Sequence, residues 1–166
     1  MKKMETAYFA GGCFWCITPT FQEMAGVERV VSGYCGGREV DPTYEDVKNQ
    51  RTGHRETIRI DFDPDVVSFG QLMDVFLGGV DPFDAGGQFI DRGFSYTLAV
   101  YYCSENQLNV ASTAIEKLKK ESGREVCIAL EPFDRFYMAE EYHQDFHKKN
   151  PEKFRQELIE SGRIKL

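Results

Sequence analysis

The chain has 166 residues, 42% of them apolar and 28% charged, which suits one folded domain over 1–166 and excludes a disordered or fibrous polymer. Its net charge of −7, with no basic stripe, argues against a nucleic-acid binder. No segment approaches the ~20 apolar residues that span a bilayer, and the basic start Met1–Lys2–Lys3 runs into Glu5 without an apolar stretch, so no secretory leader is expected and the cytoplasm is the expected location.

Residues 6–10 (TAYFA) read as a short strand ending at Gly11–Gly12, followed by a helix over Cys13–Met24 with Pro19 near its first turns. Val27–Tyr34 reads as a second strand, and the glycine-rich 33–53 as a loop. Glu56–Phe62 alternates, with Ile58, Ile60 and Phe62 on one face and Thr57, Arg59 and Asp61 on the other, as a half-buried strand does. Ser68 caps a helix with Phe69, Leu72, Met73 and Phe76 on one stripe, stopped by Gly78–Gly79. A second glycine-rich loop covers 79–95, and Tyr96–Cys103 reads as a strand. Ser104 to Gln107 forms a capping box opening a helix to about Glu121, closed by Gly123. Glu125–Glu131 reads as another strand, and the chain from Met138 as helical with a break at Asn150–Pro151. This order predicts an α+β fold, a mixed α/β sandwich, with function carried by the two long loops.

Five cysteines stand at 13, 16, 35, 103 and 127, so they cannot all pair within the chain. In a reducing compartment a disulfide framework is not expected, leaving free, metal-bound or catalytic thiols. Cys13 falls where a strand ends and a helix begins, where outward-pointing amides and the helix dipole favour a thiolate. Gly11 and Gly12 let a substrate approach the backbone, and the rings of Phe14 and Trp15 offer flat faces to a small apolar group. Cys16 completes C-x-x-C, which has three readings: a thioredoxin-like redox pair, half of a zinc site completed by His143 and His147, or a nucleophile beside an incidental cysteine. Zinc fingers place their histidines about a dozen residues after the cysteines, so His143 and His147, far along the chain, read as an ordinary helix surface.

Gly12–Cys16 (GCFWC) resembles the signature of the peptide methionine sulfoxide reductase A family. The resemblance continues in order through Gly33–Gly37 (GYCGG), Pro42–Glu45 (PTYE), Thr52–Glu56 (TGHRE), Asp81–Pro82, Asp91–Gly93 with Tyr96, and Ala139–Gln144 (AEEYHQ), and so covers nearly the whole chain. With it, the expected fold becomes a ferredoxin-like core of mixed sheet flanked by helices.

The resemblance implies reduction of the S epimer of methionine sulfoxide, free or in proteins. It implies attack by Cys13 on the sulfoxide sulfur, with Glu56 as the acid, Tyr44 and Tyr96 as hydrogen-bond donors to the oxygen, Asp91 at the substrate's polar part or a water, and Phe14 and Trp15 around the terminal methyl. Such an acid needs its pKa raised by burial, and phenols suit an oxygen gaining negative charge. Cys13 would become a sulfenic acid and condense with a second thiol. Many members carry recycling cysteines near the C-terminus, but no cysteine follows 127 here, so Cys16 is the expected resolving thiol and Cys35 the alternative. Thioredoxin or another small dithiol would reduce the bridge, and neither a metal nor an organic cofactor is expected. Arg55 stands where alanine is common in the family, and Ser95 and Thr97 replace the frequent Gln and Arg beside Tyr96. The competing functions are a general C-x-x-C thiol–disulfide oxidoreductase and a zinc-binding module.

Overall fold

The computed structural model describes residues 3–160, so Met1 and Lys2 of the basic start lie outside the described residues. Among the described residues eight strands form: β1 (Glu5–Gly11), β2 (Val27–Cys35), β3 (Arg55–Phe62), β4 (Gly87–Gln88), β5 (Asp91–Arg92), β6 (Leu98–Tyr102), β7 (Ile128–Pro132) and β8 (Phe136–Met138). Six of them make one sheet in the order β7-β6-β1-β3-β2-β8, while β4 and β5 pair as a separate short hairpin. The inner four are antiparallel, with α1 (Phe14–Gln22) crossing from β1 to β2 and α3 (Phe69–Gly78) lying between β3 and β6. That is the ferredoxin-like split β-α-β arrangement. β7 adds parallel to β6, which makes the sheet mixed.

The alternation expected along 56–62 is present: Ile58, Ile60 and Phe62 join the main core, with Ala7, Phe9, Val30, Leu98 and Val100 from the neighbouring strands. Helices α1 and α3 lay Phe14, Ile17, Phe21, Phe69, Leu72, Met73 and Phe76 onto that face, and α4 (Glu105–Ser122) adds Ala111. The other face carries a smaller cluster of Tyr8, Ala10, Cys35, Ala99 and Tyr101. Phe9 is fully buried and stacks on Phe21, Phe69 and Phe76, with centroids 4.8–5.8 Å away. Phe9→Ala is expected to cost about 3–5 kcal/mol of stability in urea denaturation, because the three surrounding rings are fixed on two helices and cannot all close on the void.

Several boundaries differ from the sequence reading. The first helix ends at Gln22 and begins at Phe14, with Cys13 as its N-cap. The loop 33–53 contains a short helix, α2 (Tyr44–Lys48), started by the Thr43 hydroxyl accepting from Asp46 N. Tyr96 is not in a strand but in a 3₁₀ turn, Phe94–Tyr96, entered through Gly93 at φ 122°. The strand read over 125–131 starts only at Ile128, since Cys127 N is drawn to Pro82 O instead of the ladder. Ser104 accepts from Gln107 N as expected, but the Gln107 side chain leaves the box to accept from Cys103 N and to donate to Thr6 O. The segment from Met138 is only partly helical: β8 precedes it, Glu141–His143 is a 3₁₀ turn, and α5 (Phe146–Lys149) and α6 (Pro151–Glu160) flank the expected break at Asn150–Pro151. Among the described residues no helix is long and apolar enough to cross a membrane.

Candidate active site

The strand end at Gly11 and the helix start at Phe14 are joined by Gly12, whose φ of 86° turns the chain sharply enough to set Cys13 at the head of α1. Glu56 opens into the same region from β3, paired with Tyr34 across the sheet. Phe14 N, a free amide of the first helical turn, donates to Glu56 Oε1 at 3.2 Å. The α2 helix brings Tyr44, the hairpin brings Asp91, and the 3₁₀ turn brings Tyr96. Their charges act on one another and on Cys13 and Glu56, so the five residues named from the sequence share one neighbourhood.

Glu56 is 1% exposed. Burial pushes its carboxyl up to about 8, with the negative charge of Asp91 adding to the rise and the Phe14 amide and Tyr96 hydroxyl opposing it. Its Oε2 is buried and makes no hydrogen bond within the described protein. The carboxyl is therefore favoured in its protonated form at neutral pH, with one oxygen buried and unbonded. Tyr44 and Tyr96 are held well above the ordinary phenol value, chiefly by burial and then by Glu56, and stay protonated donors.

Cys13 departs from the sequence expectation of a resting thiolate. It is 8% exposed, and its pKa is raised well above the ordinary thiol value by the hydrogen-bonding contact with the Cys16 thiol, by burial, and by the charges of Glu56 and Asp91. The helix start does not rescue the thiolate, because Cys13 makes no side-chain cap bond and the Phe14 amide serves Glu56. Those surroundings favour the neutral thiol.

An aromatic cage closes the site. Trp15 stacks on Phe146 at 4.0 Å, and Phe14, Trp15 and Tyr44 all pack around the His143 ring, Tyr44 at 4.2 Å. Trp15 Nε1 donates to His143 Nδ1 at 3.0 Å. His143 is thus no helix-surface residue: it is 1% exposed, and burial lowers its pKa to about 4, against a smaller opposing pull from Glu140. The left-handed Asp145, at φ 53°, breaks the helix that would have set His143 and His147 on one face. Glu140 carries no assigned role in the sequence. It accepts from Tyr34 Oη at 2.8 Å and from Tyr44 N at 3.0 Å, which ties α2 to the sheet. Both lie in the AEEYHQ stretch already singled out, but nothing in their spacing reveals a partner about a hundred residues earlier.

The remaining thiols separate clearly. Cys16 touches Cys13 on one side and on the other borders an apolar cleft of about 430 Å³ with Phe21, Val80, Phe89, Phe154 and Leu158. Cys35 belongs to the cluster on the opposite face of the sheet, where its thiol donates to Arg135 O and burial pushes it up to about 12. Cys127 Sγ sits 3.6 Å from Phe83 O, and Cys103 is exposed. Among the described residues no group of three or more His, Cys, Asp or Glu is placed to hold a metal ion.

The family profile "Peptide methionine sulfoxide reductase" matches residues 5–166. The peptide methionine sulfoxide reductase MsrA of Bacillus licheniformis is 46% identical over 98% of this chain and 91% of its own length, and that of Bacillus subtilis is 46% identical over 98% and 93%. Among solved structures, Mxr1 from Saccharomyces cerevisiae in reduced form superposes with a TM-score of 0.85 at 26% identity, covering 90% of this chain and 87% of Mxr1. Methionine sulfoxide reductase A of Corynebacterium diphtheriae gives 0.81 at 28% identity, covering 91% and 77%. Mxr1 has also been solved in complex with Trx2. These matches favour the reductase over a general C-x-x-C thiol–disulfide oxidoreductase. The family match along residues 5–166, the 46% identity to the Bacillus reductases and the shared fold make this chain a member of the peptide methionine sulfoxide reductase family, of the A type.

Proposed function

We propose that the enzyme reduces the S epimer of methionine sulfoxide, free or in proteins, with Cys13 as nucleophile, Glu56 as acid, and Tyr44 and Tyr96 as donors to the sulfoxide oxygen. The observation that carries this is the Glu56 carboxyl, pushed up to about 8 by burial, with Oε2 buried and unbonded and within electrostatic reach of the Cys13 thiol. Glu56 gives its proton to the sulfoxide oxygen, which makes the sulfur electrophilic. Cys13 attacks that sulfur as its own proton passes to the vacated carboxylate. The new Cys13 Sγ–sulfur bond lets the protonated oxygen leave as water, taking its second proton back through Glu56. A water then attacks Sγ and breaks that bond, returning a proton to Glu56, so the products are a Cys13 sulfenic acid and the thioether, with two electrons moved from cysteine to substrate. Asp91 holds the polar part of the substrate or a water, and Phe14 and Trp15 take its terminal methyl.

Cys16 then attacks the Cys13 sulfur, forming the disulfide and releasing water. Its contact with Cys13 supports this assignment over Cys35, whose thiol faces away across the sheet. Thioredoxin, or another small dithiol, takes the bridge back to two thiols; the complex solved for Mxr1 supports this partner. Electrons come from thiols throughout, so the proposed cycle requires neither a metal nor an organic cofactor. The five free cysteines fit a reducing cytoplasm, and the single main core supports one domain along the chain.

The test is a reaction of reduced protein with excess methionine S-sulfoxide and no added reductant. One methionine per chain and a Cys13–Cys16 bridge in the peptide map are expected, with the R epimer untouched. Absence of methionine would reject the reaction; a bridge to Cys35 would reject the relay.

A further inference from the structure

Arg55, Ser95 and Thr97 are joined in one clamp around the turn that carries Tyr96. Arg55 precedes Glu56 on β3, so its side chain leaves the opposite face of the strand. It is 8% exposed, with both Nε and Nη1 bonded. Its Nε donates to Thr97 Oγ1 at 2.9 Å, and Nη1 donates to Tyr101 Oη at 3.0 Å and to the Glu131 carboxylate. The guanidinium carbon lies 4.4 Å from the centre of the Phe94 ring. Thr97 in turn donates its hydroxyl to Phe94 O at 2.6 Å. Arg55 thus holds both ends of Phe94–Tyr96. From the other side Gln50 donates to Ser95 Oγ at 2.8 Å and accepts from Ser95 N at 3.1 Å. Gln50 stands two residues past the end of α2, so the same amide links the Tyr96 turn to the segment bearing Tyr44.

We propose that Arg55 is a positioning residue for Tyr96: through Thr97 and the Phe94 ring it fixes the turn that points the Tyr96 hydroxyl at the sulfoxide oxygen. A single 3₁₀ turn has poor hydrogen-bond geometry of its own, and this one is entered through Gly93 with a positive φ of 122°. Phe94 is 47% exposed, so packing alone does not hold it. The anchor is itself fixed, because Glu131 on β7 and Tyr101 on β6 are adjacent strand residues and Tyr101 also donates to Cys35 O. A donor that drifts by about 1 Å can lose on the order of 100-fold in rate. The inference rests on the proposed role of Tyr96.

The test measures the first step alone, methionine formed by reduced enzyme without reductant, in Arg55→Ala, Arg55→Lys and Thr97→Val, each with and without Tyr96→Phe. Arg55→Ala is expected to slow this step by roughly 10- to 100-fold in maximal rate, with little change in the half-saturating sulfoxide concentration. Arg55→Lys should recover part of the loss, and Thr97→Val should show a smaller loss in the same direction. In the Tyr96→Phe background, where Tyr44 keeps the step measurable, none of them should slow it further. An equal loss in both backgrounds, or none in either, overturns the inference. Should Tyr96→Phe itself leave the rate unchanged, the role given to Tyr96 fails and the inference with it. If Arg55→Ala melts at the assay temperature, Thr97→Val decides, since it removes only the Thr97 hydroxyl's bonds to Arg55 Nε and Phe94 O and leaves the Arg55–Glu131 pair in place.

Discussion

Glu56→Gln is expected to slow methionine formation by about 100- to 10,000-fold, the usual contribution of a positioned general acid. The amide is nearly isosteric and can still accept from Phe14 N, so the fold and the sulfoxide affinity should stand. What disappears is the transferable proton. The pH profile separates this from a steric effect. The wild-type first step should be constant below about 8 and fall as pH rises through that value, where the carboxyl ionises. The remaining rate of the glutamine variant should lack that limb. A near-normal rate, or an unchanged alkaline limb, would remove Glu56 from the chemistry. The same shift bears on stability. The folded chain keeps the Glu56 proton up to about 8, whereas the unfolded chain releases it near the ordinary 4.5. The native state therefore binds more protons in this window, and the group's contribution to stability falls as pH rises from about 4.5 to 8. Glu56→Gln should gain on the wild type in urea denaturation at about pH 9 relative to about pH 5.

Cys13→Ser is expected to abolish reduction, and Cys16→Ser to retain one equivalent of methionine while losing sustained turnover with thioredoxin. The asymmetry follows from place. Cys13 stands among Glu56, Asp91 and the phenols, whereas Cys16 touches Cys13 and opens onto the cleft between α1 and α6. A reductant can reach that cleft without entering the aromatic cage. Burst and steady-state measurements on the two variants check this; normal cycling by Cys16→Ser would move the resolving role elsewhere. A neutral resting Cys13 also predicts slow alkylation at neutral pH in the absence of sulfoxide.

Much of the fold was legible because its signals are local. The alternation along 56–62 needs only neighbouring side chains, and Ser68 and Gly123 mark helix ends through their own caps. The sequence motifs of the family were equally readable, since spaced residues in order carry identity without geometry. The short elements inside the glycine-rich loops were not readable. The α2 helix is only five residues long, and its first amide, Tyr44 N, is satisfied by Glu140, almost a hundred residues later.

The sequence by itself determined the family, the alternating elements, and which thiol, carboxyl and phenols to examine. Tertiary structure alone decided their states. Cys13 looked ionised from its place at a helix start, because helix amides and dipole are local quantities. Burial, the Cys16 contact and two carboxyl groups from distant strands reverse that, and they exist only once the chain has folded. The same burial turns Glu56 from an ordinary carboxylate into an acid near neutrality, and His143 from an apparent surface residue into the acceptor beneath Trp15. Desolvation depends on everything that surrounds a group, and no stretch of sequence contains its own surroundings.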